Sequence, residues 1–215
     1  MKNVLLIGLG RFGRHMAQKL SDIHNQVLVI DKDERRVQDA IGYVTNAEIG
    51  DATDPALIES LGVRDFDLCV VTMGHDLQAS LEITALLKKF GAPFVLARAA
   101  RDAHVQFLLA CGADEVIYPE KQIATWAAVR YGSNHIFDYI RLSSNHAIYE
   151  TDIPDAWIGH TVVDLAVRQR YRLNILAIRK NGQVEPLPGP SHQFSRDERV
   201  IILGSEKDVQ KFLKF

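Results

Sequence analysis

Two cysteines among 215 residues are too few for a disulfide framework, and neither Cys69 nor Cys111 has the C-x-x-C spacing of a zinc or redox site. Cys69 falls in an apolar strand pattern and Cys111 at a helix end, so both read as packed thiols. The eight histidines are scattered and no two stand four apart, so the usual signature of a histidine-held metal is missing. Charge of one sign is missing too. Lys and Arg number 25 against 27 Asp and Glu, giving a net charge of −2 with no dense basic block, and nucleic acid is not an expected partner. No apolar run approaches the ~20 residues of a membrane helix. Met1-Lys2-Asn3 leads straight into a strand pattern without room for a signal peptide, so the expected location is the cytoplasm. Internal repeats and low-complexity segments are absent as well.

What the chain does carry is glycine where a phosphate site needs it. Val4-Leu5-Leu6-Ile7 is an apolar run that stops on Gly8-Leu9-Gly10-Arg11-Phe12-Gly13, and a helical pattern follows with Phe12, Met16, Leu20 and Ile23 on one face. In a dinucleotide-binding unit the first glycine makes the turn, the second leaves room for a pyrophosphate, and the third lets helix and strand pack closely. The anion would sit on the N–H groups of the helix N-terminus. The next strand ends on Asp31, 21 residues after Gly10. A carboxylate there accepts bonds from both ribose hydroxyls and repels a 2′-phosphate. The alternative is that Asp31 only caps the helix beginning near Asp33.

The pattern then repeats as strand and helix. Residues 33–43 read as a polar surface helix, and a short strand runs from Val44 to Ile49. Gly50-Asp51-Ala52-Thr53-Asp54-Pro55 suits a loop at the carboxyl edge of a sheet, with Thr53 or Asp54 capping a helix that has Pro55 first. Asp51 and Thr53 either bond an adenine edge there or serve the helix cap alone. Asp67 to Met73 is a fourth strand, apolar enough to be covered on both faces, and Gly74 ends it at the ligand edge. A helix from Asp76 to Phe90, a strand from Pro93 to Ala97, a helix from Asp102 to Cys111, a strand from Glu115 to Tyr118 and a helix from Pro119 follow. These steps predict a doubly wound α/β domain over residues 1–130, with a linker to about residue 140. Arg11 lies inside the fingerprint, within reach of a terminal phosphate, and Arg98 is a fixed cation at the sheet edge. Glu120, near a helix start, either holds a divalent cation against phosphate or is simply favoured there by the helix dipole.

Residues 141–215 differ in kind. Ala147 to Ile153 alternates as a strand, Thr161 to Arg170 reads as one short amphipathic helix, and Leu173 to Ile178 as a buried strand. Asn181-Gly182 signals a hairpin, Arg199 to Leu203 another strand, and Asp208 to Phe215 a closing helix. This is a small α+β lobe.

Gly8 to Gly13, the Gly50 to Asp54 loop, Gln78-Ala79-Ser80 and Gly112 to Lys121 in the first lobe resemble the RCK (KTN) family. So do Val163-Asp164-Leu165, Arg168, Asn174 to Ile178 and the spacing from Pro188 to Gly204 in the second. These are the cytosolic gating subunits of Trk/Ktr-type bacterial potassium uptake systems, and the resemblance covers nearly the whole chain. It implies a Rossmann RCK_N (TrkA_N) domain followed by an RCK_C (TrkA_C) lobe, with a helix near the junction exchanged between subunits. It also implies a regulatory rather than enzymatic role, and dimers assembling into an octameric ring beneath a membrane-embedded potassium-translocating subunit. ATP and ADP would bind the first lobe, with Gly8, Gly10 and Gly13 at the pyrophosphate, Asp31 at the ribose, and Asp51, Ala52 and Thr53 at the adenine. Arg36 would cover the adenosine, Arg11 would meet the γ-phosphate with Arg98 nearby, and Glu120 would help hold Mg²⁺ or Ca²⁺. Phe12, Lys32, Met73 and Gly74 complete that set. Cyclic di-AMP would bind a patch of the second lobe made by Val162, Val163, Arg168, Ile175 and Pro188, although Arg168 also reads as a C-terminal helix cation.

Two other readings fit parts of the chain. An NAD-dependent oxidoreductase would use the same first lobe, and NAD(H) fits because its adenosine half is read identically. It needs an acid or base near the nicotinamide, for which the second lobe offers only isolated His146, His160 and His192. A stand-alone nucleotide or cyclic di-AMP sensor is the third reading.

Overall fold

The structure is a computed structural model that describes residues 1–213. It divides into two compact units, Met1–Lys121 and Gln122–Phe215. The division falls at the start of a helix rather than near residue 130, and Trp126 of that helix donates to Asp138 in the second unit's sheet.

The first unit is built on six parallel strands in the order β3-β2-β1-β4-β5-β6. These are β1 (Asn3–Ile7), β2 (Gln26–Asp31), β3 (Asn46–Ile49), β4 (Leu68–Val71), β5 (Val95–Arg98) and β6 (Glu115–Ile117). The order reverses between β1 and β4, which makes their carboxyl ends the switch point where open α/β sheets bind ligands. Five helices connect the strands: α1 (Arg11–Asp22), α2 (Glu34–Ala40), α3 (Pro55–Ser60), α4 (Leu77–Lys89) and α5 (Asp102–Ala110). Both faces of β1 are sealed. Leu5 and Ile7 join one apolar cluster, Val4 and Leu6 the other, and all four are at most 1% exposed. Each such side chain contributes ~1.5–3 kcal/mol of burial, which holds the glycine loop against a rigid strand.

Helix α1 does not bury the predicted stripe. Gly13 and Ala17 are its buried residues, Met16 and Leu20 pack partly, Phe12 turns toward a cavity, and Ile23 is an exposed C-cap. Small residues win the inner face because the helix lies too close to β1 for larger ones. Helix α2 is shorter than the expected 33–43 span. Asp33 is its N-cap and accepts from the Arg35 amide, while Asp54, not Thr53, caps α3.

The second unit begins within α6 (Pro119–Gly132) and carries a five-stranded antiparallel sheet in the order β10-β9-β11-β8-β7. The strands are β7 (Ile136–Arg141), β8 (His146–Asp152), β9 (Asn174–Lys180), β10 (Gln183–Pro186) and β11 (Glu198–Ser205). Strand β7 has no counterpart in the sequence reading. The expected single helix over Thr161–Arg170 is two pieces, α7 (Val162–Leu165) and α8 (Val167–Tyr171), broken where Ala166 adopts a left-handed conformation at φ 45°. Asn181 and Gly182 both have positive φ, as the predicted β9–β10 hairpin turn demands. The closing helix α9 (Glu206–Phe212) starts earlier than expected, capped by Ser205. Its predicted last residues, 214 and 215, lie outside the described residues. The core centres on Trp157, whose ring lies 5.0 Å from Phe212, 5.3 Å from Phe194 and 5.8 Å from Tyr171. Cys69 is buried in β4, where burial pushes its thiol up to about 12, and neither it nor Cys111 is in a disulfide.

Candidate functional site

A cavity of about 810 Å³ opens at the β1/β4 switch point. Its floor is the glycine loop. Gly8 holds φ +99° and donates its N–H to Ile30, and the Thr72 hydroxyl donates to the Gly8 carbonyl at 2.6 Å. Gly10 is the α1 N-cap without a capping side chain, and a Cβ there would meet nothing within 4 Å. That open volume over a helix N-terminus free of acidic first-turn residues suits a pyrophosphate. Gly13 does not line the cavity. Its added Cβ would lie 2.0 Å from the Gly8 carbonyl oxygen, so it serves the close approach of α1 to β1.

Asp31 closes the far wall. It is 6% exposed and its carboxylate is held from three sides: Leu9 N–H donates at 2.6 Å, Asp33 N–H at 2.9 Å, and Arg36 Nη1 lies at 3.5 Å. Asp31 is thus anchored to the glycine loop, while Asp33 caps α2. Lys32 and Arg36 line the same end. Asp51, Ala52 and Thr53 do not line the cavity. Asp51 accepts from the Thr53 amide and hydroxyl, which hold its carboxyl below the usual range, and Ala52 is buried in the core.

At the opposite end Arg11 and Phe12 enter from α1, Met73 and Gly74 from the end of β4, Arg98 from β5 and Glu120 from the first turn of α6. Arg98 is 9% exposed. Its guanidinium crosses Gly74, where a Cβ would come within 2.5 Å of Nη1, lies 5.5 Å from the Phe12 ring and pairs with Glu120. Its buried Nε has no hydrogen-bond partner among the described residues. Burial raises the Glu120 carboxyl, but its own backbone N–H and Arg98 outweigh that and hold it below the usual range. No cluster of three or more potential metal ligands occurs among the described residues. Glu120 would therefore hold a divalent cation only with donors from a ligand or another chain.

His15, Thr72, His75 and Asp76 also line the cavity and escaped the sequence reading. Only His15 carried a signal, being four residues after Arg11 and so on the same helix face. His146, His160 and His192 belong to the second unit and do not line it. In that unit Val162, Val163, Arg168, Ile175 and Pro188 all line one cavity of about 480 Å³.

The strand order, the open glycine cradle and the anchored acid after β2 define a Rossmann-like domain of the dinucleotide-binding class. Residues 4–119 match the TrkA-N domain and residues 147–215 the TrkA-C domain, and the chain belongs to this two-domain family. It is 34% identical to Ktr system potassium uptake protein C of Bacillus subtilis, over 99% of this chain and 96% of that protein. It is 33% identical to Ktr system potassium uptake protein A of the same organism, over 98% and 95%. The solved GsuK RCK domain superposes with TM-score 0.68 at 15% identity, over 98% of this chain and 46% of that one. The GsuK channel bound to NAD gives 0.70 at 15%, over 96% and 38%. The chain therefore spans less than half the length of these solved chains, and the likeness to them is one of fold. No helix among the described residues is long and apolar enough to cross a membrane.

Proposed function

We propose that the chain is the nucleotide-sensing gating subunit of a potassium uptake system, binding ATP and ADP in the first-unit cavity to regulate a membrane-embedded ion-translocating partner. The open cradle at Gly10, between an anchored Asp31 and the cations Arg11 and Arg98, carries this reading. ATP exceeds ADP by a γ-phosphate, and only such differential contact can shift a conformational equilibrium. One charge-assisted bond is worth ~1.5–3 kcal/mol, within the ~1–3 kcal/mol of typical allosteric coupling. Arg11 would meet that phosphate, and the nearby Arg98 guanidinium is a second donor. Glu120 now occupies it, and displacing Glu120 would free a carboxylate for Mg²⁺ or Ca²⁺ bound to the nucleotide. The cation would neutralise phosphate charge. Membership in a family with Ktr system potassium uptake proteins supports the potassium-uptake role, and the assembly proposed with it is dimers in an octameric ring on the cytoplasmic face of the membrane. The second-unit cavity around Arg168 is the proposed cyclic di-AMP site.

NAD(H) is the second ligand reading, favoured by the NAD-bound GsuK neighbour of the same fold. The test is calorimetric titration of the nucleotide-free protein with ATP, ADP and NADH, with and without Mg²⁺, together with light scattering and an assay for NADH turnover. Binding of ATP and ADP by a ring-sized assembly, with a cation effect confined to ATP, is expected. Binding restricted to NAD(H), insensitive to Mg²⁺ and accompanied by turnover, would overturn the reading in favour of an oxidoreductase.

A further inference from the structure

A second cationic cavity lies on the C-terminal unit, away from the residues assigned above. It measures about 500 Å³ and is lined by Arg130, Arg179 and Arg199, with Phe137, Tyr131 and Glu150. Three observations make it more than a chance cluster of surface charge.

Arg179 and Arg199 stand directly opposite each other on the antiparallel strands β9 and β11. Like charges at such a position repel, so the fold bears a cost for keeping them. One buried carboxylate, Glu150, serves both: it lies 2.9 Å from Arg179 Nε and 3.5 Å from Arg199 Nη1. The pairing is one of charge without an aligned hydrogen bond at Arg179 Nε, and the one carboxylate is divided between two guanidinium groups.

The second observation is a bulge. Pairing of β7 with β8 shifts register between Ile136 and Asp138, leaving Phe137 as the extra residue, and the Arg199 guanidinium lies 3.4 Å from the Phe137 ring centroid. Bulges re-aim side chains, and this one supplies an aromatic wall beside the arginines. The third is Arg130, whose contacts are the rings of Trp126 at 5.1 Å and Tyr131 at 5.3 Å. The other acid lining the cavity, Asp138, accepts from Trp126 Nε1 and the Tyr139 amide through one oxygen and keeps its charge, so three arginines face two carboxylates.

The geometry points to a site for a small organic phosphate monoester, its dianion held by Arg130, Arg179 and Arg199 and its planar group lying against Phe137 and Tyr131. Three guanidinium groups against the two carboxylates Glu150 and Asp138 leave positive charge for an anion, and the planar guanidinium fork matches phosphate oxygens in pairs. The cavity exceeds what a bare phosphate needs, which leaves room for the ester group.

The experiment uses the full chain with phenyl phosphate and inorganic phosphate as probes, followed by calorimetry and by emission of Trp126, the partner of Arg130. Saturable phenyl phosphate binding that persists in Arg11→Ala and weakens at least tenfold in Arg199→Gln and Arg130→Gln is expected. Arg130 has no ion pair among the described residues, so Arg130→Gln keeps the test open if Arg199→Gln fails to fold. The assignment is overturned by non-saturable binding, by equal affinity in Arg130→Gln, or by loss of binding in chloride of matched ionic strength. Phenyl phosphate binding no tighter than inorganic phosphate overturns the ester assignment.

Discussion

Gly10 and Gly13 share one turn of chain yet answer to different constraints. Gly10 has φ −62° and open space where a Cβ would point, so alanine fits the backbone there without strain. Gly10→Ala is expected to keep its thermal midpoint or gain ~0.4–1 kcal/mol while losing at least tenfold in ADP affinity. Gly13→Ala must push α1 off the Gly8 carbonyl and is expected to lose ~1–3 kcal/mol of stability before any ligand is added. Denaturation curves beside calorimetry separate the two, and an unchanged ADP affinity in Gly10→Ala would remove the cradle as the binding site. Arg11→Ala is expected to lower the ratio of ATP to ADP affinity by about tenfold, or ~1.4 kcal/mol, with ADP nearly unaffected. Equal loss of both nucleotides would count against a γ-phosphate role. At this scale the sequence was readable wherever a residue served a backbone need. Gly8, Gly10, Gly13 and Asp31 follow from the fingerprint because turn, cradle and close approach admit few residue types. Thr72, His75 and Asp76 did not: the end of β4 was placed at the ligand edge through Met73 and Gly74, but which neighbouring side chains turn into the cavity depends on the pairing of β4 with β1.

Among elements, α4 and α5 are joined by a buried polar clamp. His104 Nε2 lies 2.8 Å from the Ser80 hydroxyl, and Ala100 N–H points at Nδ1 from 3.4 Å. The Ser80 hydroxyl donates to Leu77, so Nε2 carries the proton and the imidazole is neutral. Burial first, and then the nearby Arg101, lower its affinity for a proton below the ordinary value of 6.5. The unfolded chain therefore binds that proton more readily. The stabilisation is complete above pH 6.5 and is lost as pH falls through the lowered folded value. His104→Gln is expected to shrink the drop in thermal midpoint between about pH 7.5 and pH 5. An identical drop in the variant would show that the clamp is not what titrates. Strained Ala166, between α7 and α8, gives a second expectation: Ala166→Gly should stabilise the second unit by about 1 kcal/mol in denaturant unfolding, where a helix-interior position would instead lose stability. That break carries no sequence signal, because alanine favours continuing a helix. Strand β7 was hidden for a different reason: it is an edge strand whose residues are half-buried or exposed without alternation, and its bulge disrupts the period of two.

For the whole molecule, the two units draw on separate stabilising resources. The parallel sheet has apolar clusters on both faces, built from residues of the first unit, and the Trp157 cluster is built from residues of the second. Every residue lining the first-unit cavity lies within Met1–Lys121, Glu120 included. The proposed sensing and signalling roles are therefore open to separation by truncation. A fragment of residues 1–121 is expected to fold, because it keeps its six strands and both clusters, and to bind ADP within about tenfold of the full chain, a difference of ~1.4 kcal/mol. It should also retain its preference between ATP and ADP if Arg11 and Arg98 alone read the γ-phosphate. The same fragment is expected to fail in altering transport by a reconstituted potassium-translocating partner, because a ligand moves an equilibrium only through elements that differ between its two states. Circular dichroism, calorimetry and flux measured on one preparation decide between the alternatives. A folded fragment with intact ADP affinity but no discrimination would mean that the γ-phosphate is read by groups from outside this unit. A folded fragment that gates unaided would place the whole switch in the Rossmann-like domain and leave the second unit to its own ligands.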